Sequence, residues 1–412
     1  NLGIQITEGY SLSKNFHKPD MYIIGNVISR GNELMEMILN KNLPYTSGPQ
    51  WLYENILINK WVLAVAGTHG KTTTTAMLSW ILESCGLAPG FLIGGVPNNF
   101  EVSARTPKNN NENLPSFFVI EADEYDTAFF DKRSKFVHYH PRTLILNNLE
   151  FDHADIFDDI THIKKHFHHL IRTVPGEGKL LVNSENPVLS NLIKQGCWSE
   201  IEYFGKNSQW EYEKVNDDAS SFKIYLNKKN QGTISWKLMG HHNLMNALAA
   251  ISAARHVGIT PIDSIKSLNK FKGVKRRMEL IYSSNDIELF DDFAHHPSAI
   301  KTTLDGLTKN INDGRIIAVI EPRSNTMKIG TMKKDLLESL KDADFVFCFA
   351  ENLSWNPKEL FSKQRNIKVF EDLILLSEAI IKETKARDKI IFMSNGNFSV
   401  LQKKVINFLR DL

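Results

Sequence analysis

Residues 67–75 hold glycine, lysine and threonine in an order that suits phosphate binding. They read Gly-Thr-His-Gly-Lys-Thr-Thr-Thr-Thr. An apolar run at 61–66 stands before them, and the residues after them are apolar at helical spacing. A strand, a glycine turn and a helix in this order are what a nucleoside triphosphate site requires.

Each residue type in this run fits its position. Gly67 and Gly70 allow the backbone to approach phosphate oxygens, which then meet successive N–H groups and a helix N-terminus. Lys71 is placed to reach the outer phosphates, and the Thr72 hydroxyl to meet a magnesium ion. The full pattern has four residues between its glycines, whereas two stand here and Val65 occupies the first glycine position. The competing interpretation is an ordinary turn before a threonine-capped helix.

Two further apolar runs lead into residues that could bind a metal. The run at 116–120 is followed by Glu121-Ala-Asp-Glu. Because ligands of open α/β sheets bind at the carboxyl ends of strands, Glu121 is a candidate magnesium ligand. The run at 143–147 leads to Asp-His, where His153 alone would pass for a structural histidine. Such acids are by themselves more often a solvated loop, but the nearby phosphate loop favours a metal.

Composition limits the class of protein. The 412 residues predict two or three domains at about 150 residues each. No apolar run reaches bilayer length, and three distant cysteines indicate a reducing cytosol rather than a disulfide or zinc framework. The formal charge is +2, from 49 basic and 47 acidic residues, without a basic cluster. We therefore expect a cytoplasmic protein with no membrane and no nucleic-acid partner; the sequence leaves the oligomeric state open.

Periodicity predicts an α/β chain in three parts. Residues 1–58 contain one strand and two helical patterns, which is part of an α/β unit. Residues 59–272 alternate strands with helices, and 207–236 resemble an antiparallel edge. After a linker at 271–277, the alternation resumes over 273–412 as a doubly wound unit. The predicted strands are 61–66, 116–121, 143–147, 179–183, 287–291, 315–320, 344–349 and 389–393. The main predicted helices are 72–85, 159–173, 243–257, 297–308, 331–341, 372–384 and 400–410.

Six motifs, in order, make the chain resemble the Mur ligases, which are ATP-dependent, amide-forming enzymes of peptidoglycan synthesis. Besides the phosphate loop, they are Glu-Ala-Asp-Glu at 121–124, Asp-His at 152–153, His-Asn-Leu-Met-Asn-Ala at 242–247, Arg-Met-Glu at 277–279 and Asp-Asp-Phe-Ala-His-His-Pro at 291–297. The resemblance implies a truncated N-terminal Rossmann-like domain (1–58), a central P-loop ATPase-like domain (59–272) and a C-terminal Rossmann-like domain (273–412).

The resemblance also implies residue roles. ATP would be bound by the phosphate loop, the asparagine helix, the linker arginine and a C-terminal aspartate: Gly67, Thr68, His69, Gly70, Lys71, Thr72, Thr73, Asn243, Asn246, Arg277 and Asp292. Mg²⁺ would be held by Thr72, Glu121 and His153, and the catalytic residues would be Lys71, Glu121 and His153.

Two branches of the family compete. The alanine-adding branch shares Gly-Thr-His-Gly-Lys-Thr and His-His-Pro, but a short loop follows its acidic motif, whereas the loop at 125–136 is long here. Together with 147–155 and Glu-Pro-Arg-Ser-Asn-Thr-Met at 321–327, this resembles the branch that joins a murein tripeptide to UDP-N-acetylmuramate through an acyl phosphate. Arg323, Ser324, Asn325 and His295 are then candidate substrate residues. The alternative for 323–325 is a helix-capping turn with an exposed arginine.

The chain departs from the family pattern at two places. The family opens with a glycine-rich strand, loop and helix that helps bind uridine diphosphate, and this sequence begins after it. The departure leaves UDP-sugar binding by this chain open, but not the resemblance to the family. Asn-Gly-Asn-Phe-Ser at 395–399 replaces a more glycine-rich segment. Two other classes stay open: a regulatory nucleotide-binding module, and a ligase made inactive by N-terminal loss.

Overall fold

Strands and helices alternate along most of the chain. The structure is a computed structural model that describes residues 3–12, 19–108, 115–151, 157, 159–284, 286–311 and 313–410. The strands within these residues are β1 (Tyr22–Ile24), β2 (Tyr45–Ser47), β3 (Trp61–Ala66), β4 (Gly90–Leu92), β5 (Ala104–Arg105), β6 (Phe117–Ala122), β7 (Asp126–Ala128), β8 (Asp131–Ser134), β9 (Thr143–Leu146), β10 (Lys179–Asn183), β11 (Glu200–Phe204), β12 (Trp210–Lys214), β13 (Ser221–Leu226), β14 (Lys229–Ser235), β15 (Glu279–Ser284), β16 (Ile287–Asp292), β17 (Ile316–Ile320), β18 (Phe345–Phe349), β19 (Ile367–Phe370) and β20 (Lys389–Met393).

The α-helices of the same described ranges are α1 (Glu33–Asn40), α2 (Gly48–Leu52), α3 (Lys71–Ser84), α4 (Ile160–Ile171), α5 (Pro187–Ile193), α6 (His241–His256), α7 (Pro261–Leu268), α8 (Pro297–Asn310), α9 (Asn325–Ile329), α10 (Lys333–Ser339), α11 (Pro357–Leu360), α12 (Leu373–Glu383) and α13 (Ser399–Arg410). A π-helical turn at Tyr53–Leu57 extends α2, and a 3₁₀ turn occupies Lys135–Tyr139. In these parts of the chain no helix combines the length and the apolar character that a bilayer crossing needs.

The larger sheet carries the phosphate loop. In the described residues its order is β14-β13-β12-β11-β10-β9-β3-β6-β4-β5. The inner strands are parallel, and the pairs β12–β13, β13–β14 and β4–β5 are antiparallel. Strand β3 lies in the middle: Leu63 and Val65 face the core shared with α3 and α6, and Val62 and Ala64 face the core shared with α4 and α5. Burial on both faces explains why this strand is almost wholly apolar.

The second sheet has the order β15-β16-β20-β17-β18-β19 in the described residues. Only β15 is antiparallel to its neighbour among the pairs of this sheet that the structure describes. Helices α8 and α10 cover one face, and α12 and α13 cover the other. The carboxyl ends of β16, β20 and β17 therefore meet at one edge, where Asp292, Ser394 and Glu321 lie.

The predicted elements are confirmed to within about two residues at most ends. Region 207–236 forms the antiparallel strands β12–β14, as its alternation predicted. Several elements were not predicted, and most of them are too short for a periodic pattern to stand out; they are α5, α7, α9, α11, β2, β4, β5, β7, β8, β11, β15 and β19. The parallel pair β1–β2 packs with α1 as a small unit of its own, with Met35 and Ile38 buried.

Candidate active site

The turn between β3 and α3 leaves room only for glycine at two positions. Gly67 has φ of 149° and Gly70 has φ of 78°, conformations that other residues rarely adopt. A Cβ on Gly70 would lie 2.5 Å from Asn246 Oδ1 and 2.7 Å from Asn147 Nδ2. Glycine at both positions keeps the turn compact, so a phosphate group can approach the N-terminus of α3, which begins directly after Gly70.

Lys71 lies at the start of α3, almost fully buried, beside two carboxylates. Its Nζ donates to Glu124 Oε2 at 2.6 Å and lies 3.7 Å from Asp123 Oδ1. The side chains of Lys71 and Glu124 are only 10 % and 4 % exposed. Burial by itself lowers the pKa of the Lys71 ammonium, but the charges of Glu124 and Asp123 outweigh it and raise that pKa above its usual value. Lys71 is therefore a permanent cation that faces the cleft.

The predicted magnesium ligands Thr72 and Glu121 are brought together. Thr72 Oγ1 donates to Glu121 Oε1 at 2.9 Å, and the Gly94 N–H donates to Glu121 Oε2 at 2.7 Å. Burial, with the charge of Asp123, raises the pKa of the Glu121 carboxyl. A hydroxyl and a carboxylate next to the phosphate loop are the hard oxygen donors that Mg²⁺ prefers, so the donors present fit this ion. The third predicted ligand, His153, lies outside the described residues.

Two asparagines that the sequence analysis named only as part of the motif at 147–155, without a role of their own, hold the phosphate loop in place. Asn148 Oδ1 accepts from the His69 N–H at 2.7 Å, and the Thr68 N–H donates to the Asn148 carbonyl at 3.2 Å. Asn147 Nδ2 donates to Asn246 Oδ1 at 2.8 Å, which links the loop to α6. Both follow β9 directly, and this position at a strand carboxyl end was the signal in the sequence.

The second sheet supplies the opposite wall. Arg277 Nη2 donates to Thr72 Oγ1 at 3.2 Å across the cleft, and its guanidinium lies 4.8 Å from the centroid of the Phe293 ring. Asp292 is buried and accepts backbone N–H bonds from Met278 at 2.7 Å and Ala294 at 2.8 Å. Burial raises the pKa of the Asp292 carboxyl. Asp292 therefore anchors the linker to β16 as well as facing the cleft.

Most of the predicted nucleotide residues line one cavity of about 570 Å³ between the two sheets. This volume lies within the range of small-molecule sites. The predicted site residues among its walls are Thr68, His69, Gly70, Lys71, Thr72, Thr73, Glu121, Asn243, Asn246, Arg277, Asp292 and His295. Elements more than two hundred residues apart in the chain thus form one site.

The predicted substrate residues 323–325 lie outside these walls. Ser324 Oγ caps α9 by accepting from the Met327 N–H at 3.4 Å, which is the capping turn that the sequence left open as an alternative. Arg323 is about half exposed and donates to Glu321 Oε1 at 3.2 Å. Ser394 donates its hydroxyl to the same Glu321 carboxylate.

From the sequence alone Arg276 is no more than a solvated charge beside Arg277, but in the structure its guanidinium has backbone partners. Its Nη2 donates to the carbonyls of Ser394 at 2.8 Å and Gly396 at 2.7 Å. The turn at 394–396 carries Asn395, which lines the cavity. Arg276 therefore positions the turn that connects the cavity to the surroundings of Arg323.

Two family descriptions match the chain. The Mur ligase middle domain matches residues 65–254, and the Mur ligase glutamate ligase domain matches residues 276–396. The chain belongs to the Mur ligase family. The α/β fold predicted from the sequence is confirmed, while the predicted domain boundaries remain predictions.

Individual relatives within the Mur ligase family differ in how similar they are to the chain. It is 49 % identical over 410 residues to the UDP-N-acetylmuramate–L-alanyl-γ-D-glutamyl-meso-2,6-diaminoheptandioate ligase of Escherichia coli K12, covering 99 % of this chain and 88 % of the relative. It is 29 % identical to the UDP-N-acetylmuramate–L-alanine ligase of Clostridium tetani, covering 96 % of this chain and 87 % of that one. A crystal structure of a murein peptide ligase from Psychrobacter arcticus superposes with a TM-score of 0.72 at 42 % identity, covering 96 % of this chain and 86 % of that one.

Proposed function

We propose that this Mur ligase joins L-alanyl-γ-D-glutamyl-meso-diaminopimelate to UDP-N-acetylmuramate with the consumption of ATP, in peptidoglycan recycling. The observation that carries this proposal is the 49 % identity, over 99 % of the chain, to an Escherichia coli ligase named for these substrates. The cleft between the two sheets supports it, because it combines a phosphate loop with donors for a hard cation. The cytosolic location expected from the cysteines stays a prediction.

The reaction needs activation, since a carboxylate and an amine do not condense in water. ATP supplies it by transfer of its terminal phosphate to the lactyl carboxylate, and the alanine amine of the tripeptide then displaces phosphate from the acyl carbon. The contribution of this chain is to position the reactants and to stabilise charge.

Each residue of the cleft has a proposed task in this reaction. The backbone around Gly67 and Gly70 would bind the phosphates, and Lys71 would offset the charge that develops on the transferred group. Thr72 and Glu121 would hold Mg²⁺, with His153 as a third ligand. Asn243, Asn246, Arg277 and Asp292 would bind the nucleoside and its phosphates; these four line the same cavity.

A comparison of amine donors tests the proposal. We expect the tripeptide to be used with a kcat/KM at least about tenfold above that of L-alanine, because one charge-assisted hydrogen bond contributes roughly 1.5–3 kcal/mol and the tripeptide carries additional carboxylates. The measurement is ATP consumption with UDP-N-acetylmuramate, Mg²⁺ and either donor. A preference for L-alanine would move the chain to the alanine-adding branch. ATP turnover independent of the UDP-sugar would indicate a nucleotide-binding module instead.

Arg323 is the residue that we expect to recognise the tripeptide. Its guanidinium follows β17, is held by Glu321 and stays half exposed, so it can bind a peptide carboxylate through two hydrogen bonds. We expect Arg323→Ala to raise the KM for tripeptide about tenfold or more and to leave the KM for ATP within about twofold.

Arg365→Ala is the matched control, since Arg365 is exposed in the same sheet unit but precedes β19 at the amino end of that strand. Its kinetic constants should equal those of the parent. If the tripeptide kinetics of Arg323→Ala equal those of the parent, Arg323 does not recognise the tripeptide and is only an exposed residue beside a capping turn.

A further inference from the structure

Three metal-binding side chains meet where the phosphate loop contacts the second sheet unit. They are His69 in the loop, Glu150 after β9 and His296 at the start of α8. One ligand atom from each lies within 4.8 Å of the others, and in the described ranges this is the only group of three or more such residues. His69 Nε2 lies 3.5 Å from Glu150 Oε2, and the centroids of the two imidazole rings are 4.8 Å apart.

The distances are close to those of a tetrahedral site. Ligands at 2.0–2.1 Å from a zinc ion stand about 3.3 Å from one another. The His69–Glu150 pair is already near that separation. The other ligand atoms are at most 4.8 Å apart, so they need to approach one another by no more than about 1.5 Å, which imidazole and carboxylate side chains achieve by rotation about their χ angles.

The backbone around two of the ligands is fixed before any ion binds. The Glu150 N–H donates to Thr68 Oγ1 at 2.9 Å, and the Thr68 hydroxyl returns a bond of 3.3 Å to the Glu150 carbonyl. His69 N–H is held by Asn148 at 2.7 Å. Within the described part of the chain, His69 Nε2 is a buried atom without a hydrogen-bond partner of good geometry, which is the position a metal ion would satisfy.

The third ligand has a modest competing role. His296 Nδ1 accepts the Ser298 N–H at 3.3 Å and so caps α8. Giving up this cap costs about 0.5–2 kcal/mol, whereas structural zinc sites contribute roughly 10–16 kcal/mol.

We propose that His69, Glu150 and His296 bind a transition-metal ion of the Zn²⁺ class, and that this ion links the phosphate loop to α8 and holds the cleft closed. Two imidazoles and one carboxylate are a donor set of zinc sites with an open fourth position. It differs from the oxygen donors of Thr72 and Glu121, so hard Mg²⁺ is not its preferred ion. A bound ion would slow turnover, because substrate entry and product release require the cleft to open.

Titration of the metal-free full chain with Zn²⁺ tests this proposal, in buffer that contains Mg²⁺ and no nucleotide. We expect one Zn²⁺ per chain by calorimetry, and an affinity at least about tenfold lower in His296→Ala. Co²⁺ should give the intense visible absorption of a low-coordinate site in the parent and not in the variant. His169→Ala, a histidine of α4 outside this group, should bind like the parent.

The variants also separate loss of ligand from loss of fold. Zn²⁺ should raise the Tm of the parent and not that of His296→Ala; if His296→Ala is unfolded by circular dichroism, Glu150→Gln takes its place.

In the ligase assay at fixed Mg²⁺, Zn²⁺ should inhibit the parent at lower concentration than the variant. Equal Zn²⁺ affinity in parent and variant would overturn the site, and Zn²⁺ binding without inhibition would overturn the closure. The binding result is independent of ligase activity, so failure of the proposed ligase function would be recognised separately.

Discussion

Replacing Lys71 with alanine is expected to lower ligase turnover by about a hundredfold to a thousandfold. Removal of a preorganised group that stabilises developing charge costs roughly 2.7–4 kcal/mol of transition-state stabilisation. Lys71 is a buried cation at the phosphate loop, and water cannot readily replace its charge there. Activity of Lys71→Ala within a few-fold of the parent would contradict the phosphate-loop assignment.

The structure also predicts an effect of this substitution on stability. Lys71 pairs with the buried Glu124, and removing one partner of a buried ion pair costs about 3–5 kcal/mol. From the sequence alone, Lys71 adds no apolar surface to a core, and the fold should tolerate its loss. Given the pair with Glu124, the Tm of Lys71→Ala should fall.

A double variant distinguishes the two effects of removing Lys71. In Lys71→Ala/Glu124→Gln the uncompensated buried charge is gone, so the Tm should recover while turnover stays low. Recovery of turnover together with stability would show that Lys71 acts through the fold. The measurements are the ATP-dependent ligation rate and the thermal unfolding of each variant.

Glu121→Ala is expected to raise the Mg²⁺ concentration for half-maximal activity by about tenfold or more. The Glu121 carboxylate lies next to the Thr72 hydroxyl, and together they are two proposed oxygen ligands of Mg²⁺. The substitution removes the carboxylate, so only the Thr72 hydroxyl of these two ligands remains. His153→Ala should act in the same direction as the other strand-end ligand implied by the family resemblance. The measurement is activity as a function of Mg²⁺ at saturating ATP.

Asp126→Ala is the matched control for the Mg²⁺ titration. Asp126 belongs to the same acidic run, but its carboxylate accepts from Lys132 in the β7–β8 hairpin. Its Mg²⁺ requirement should equal that of the parent. Unchanged titrations for both Glu121→Ala and His153→Ala would contradict the metal assignment.

Local patterns in the sequence determined the elements and the side chains at their ends. Apolar runs such as 61–66 and 389–393 correspond to strands with identical bounds, because burial on both faces requires continuous apolar residues. The position of Glu121 at the end of β6 followed from the same reasoning, since the chemistry of parallel sheets lies at carboxyl ends. The Mur ligase assignment came from motifs that are each local in the chain.

The tertiary structure decided which of these residues contact one another. Arg277 meets Thr72 across 205 positions of sequence, and His296 meets the phosphate loop, only because the second sheet packs against the first. The pair of Lys71 with Glu124 and the capping role of Ser324 likewise depend on side-chain geometry that no periodicity encodes. Periodicity reflects only which face of each element is buried. The docking of the two sheets depends on the sum of contacts between residues far apart in the chain. That sum determines which charged side chains face the cleft.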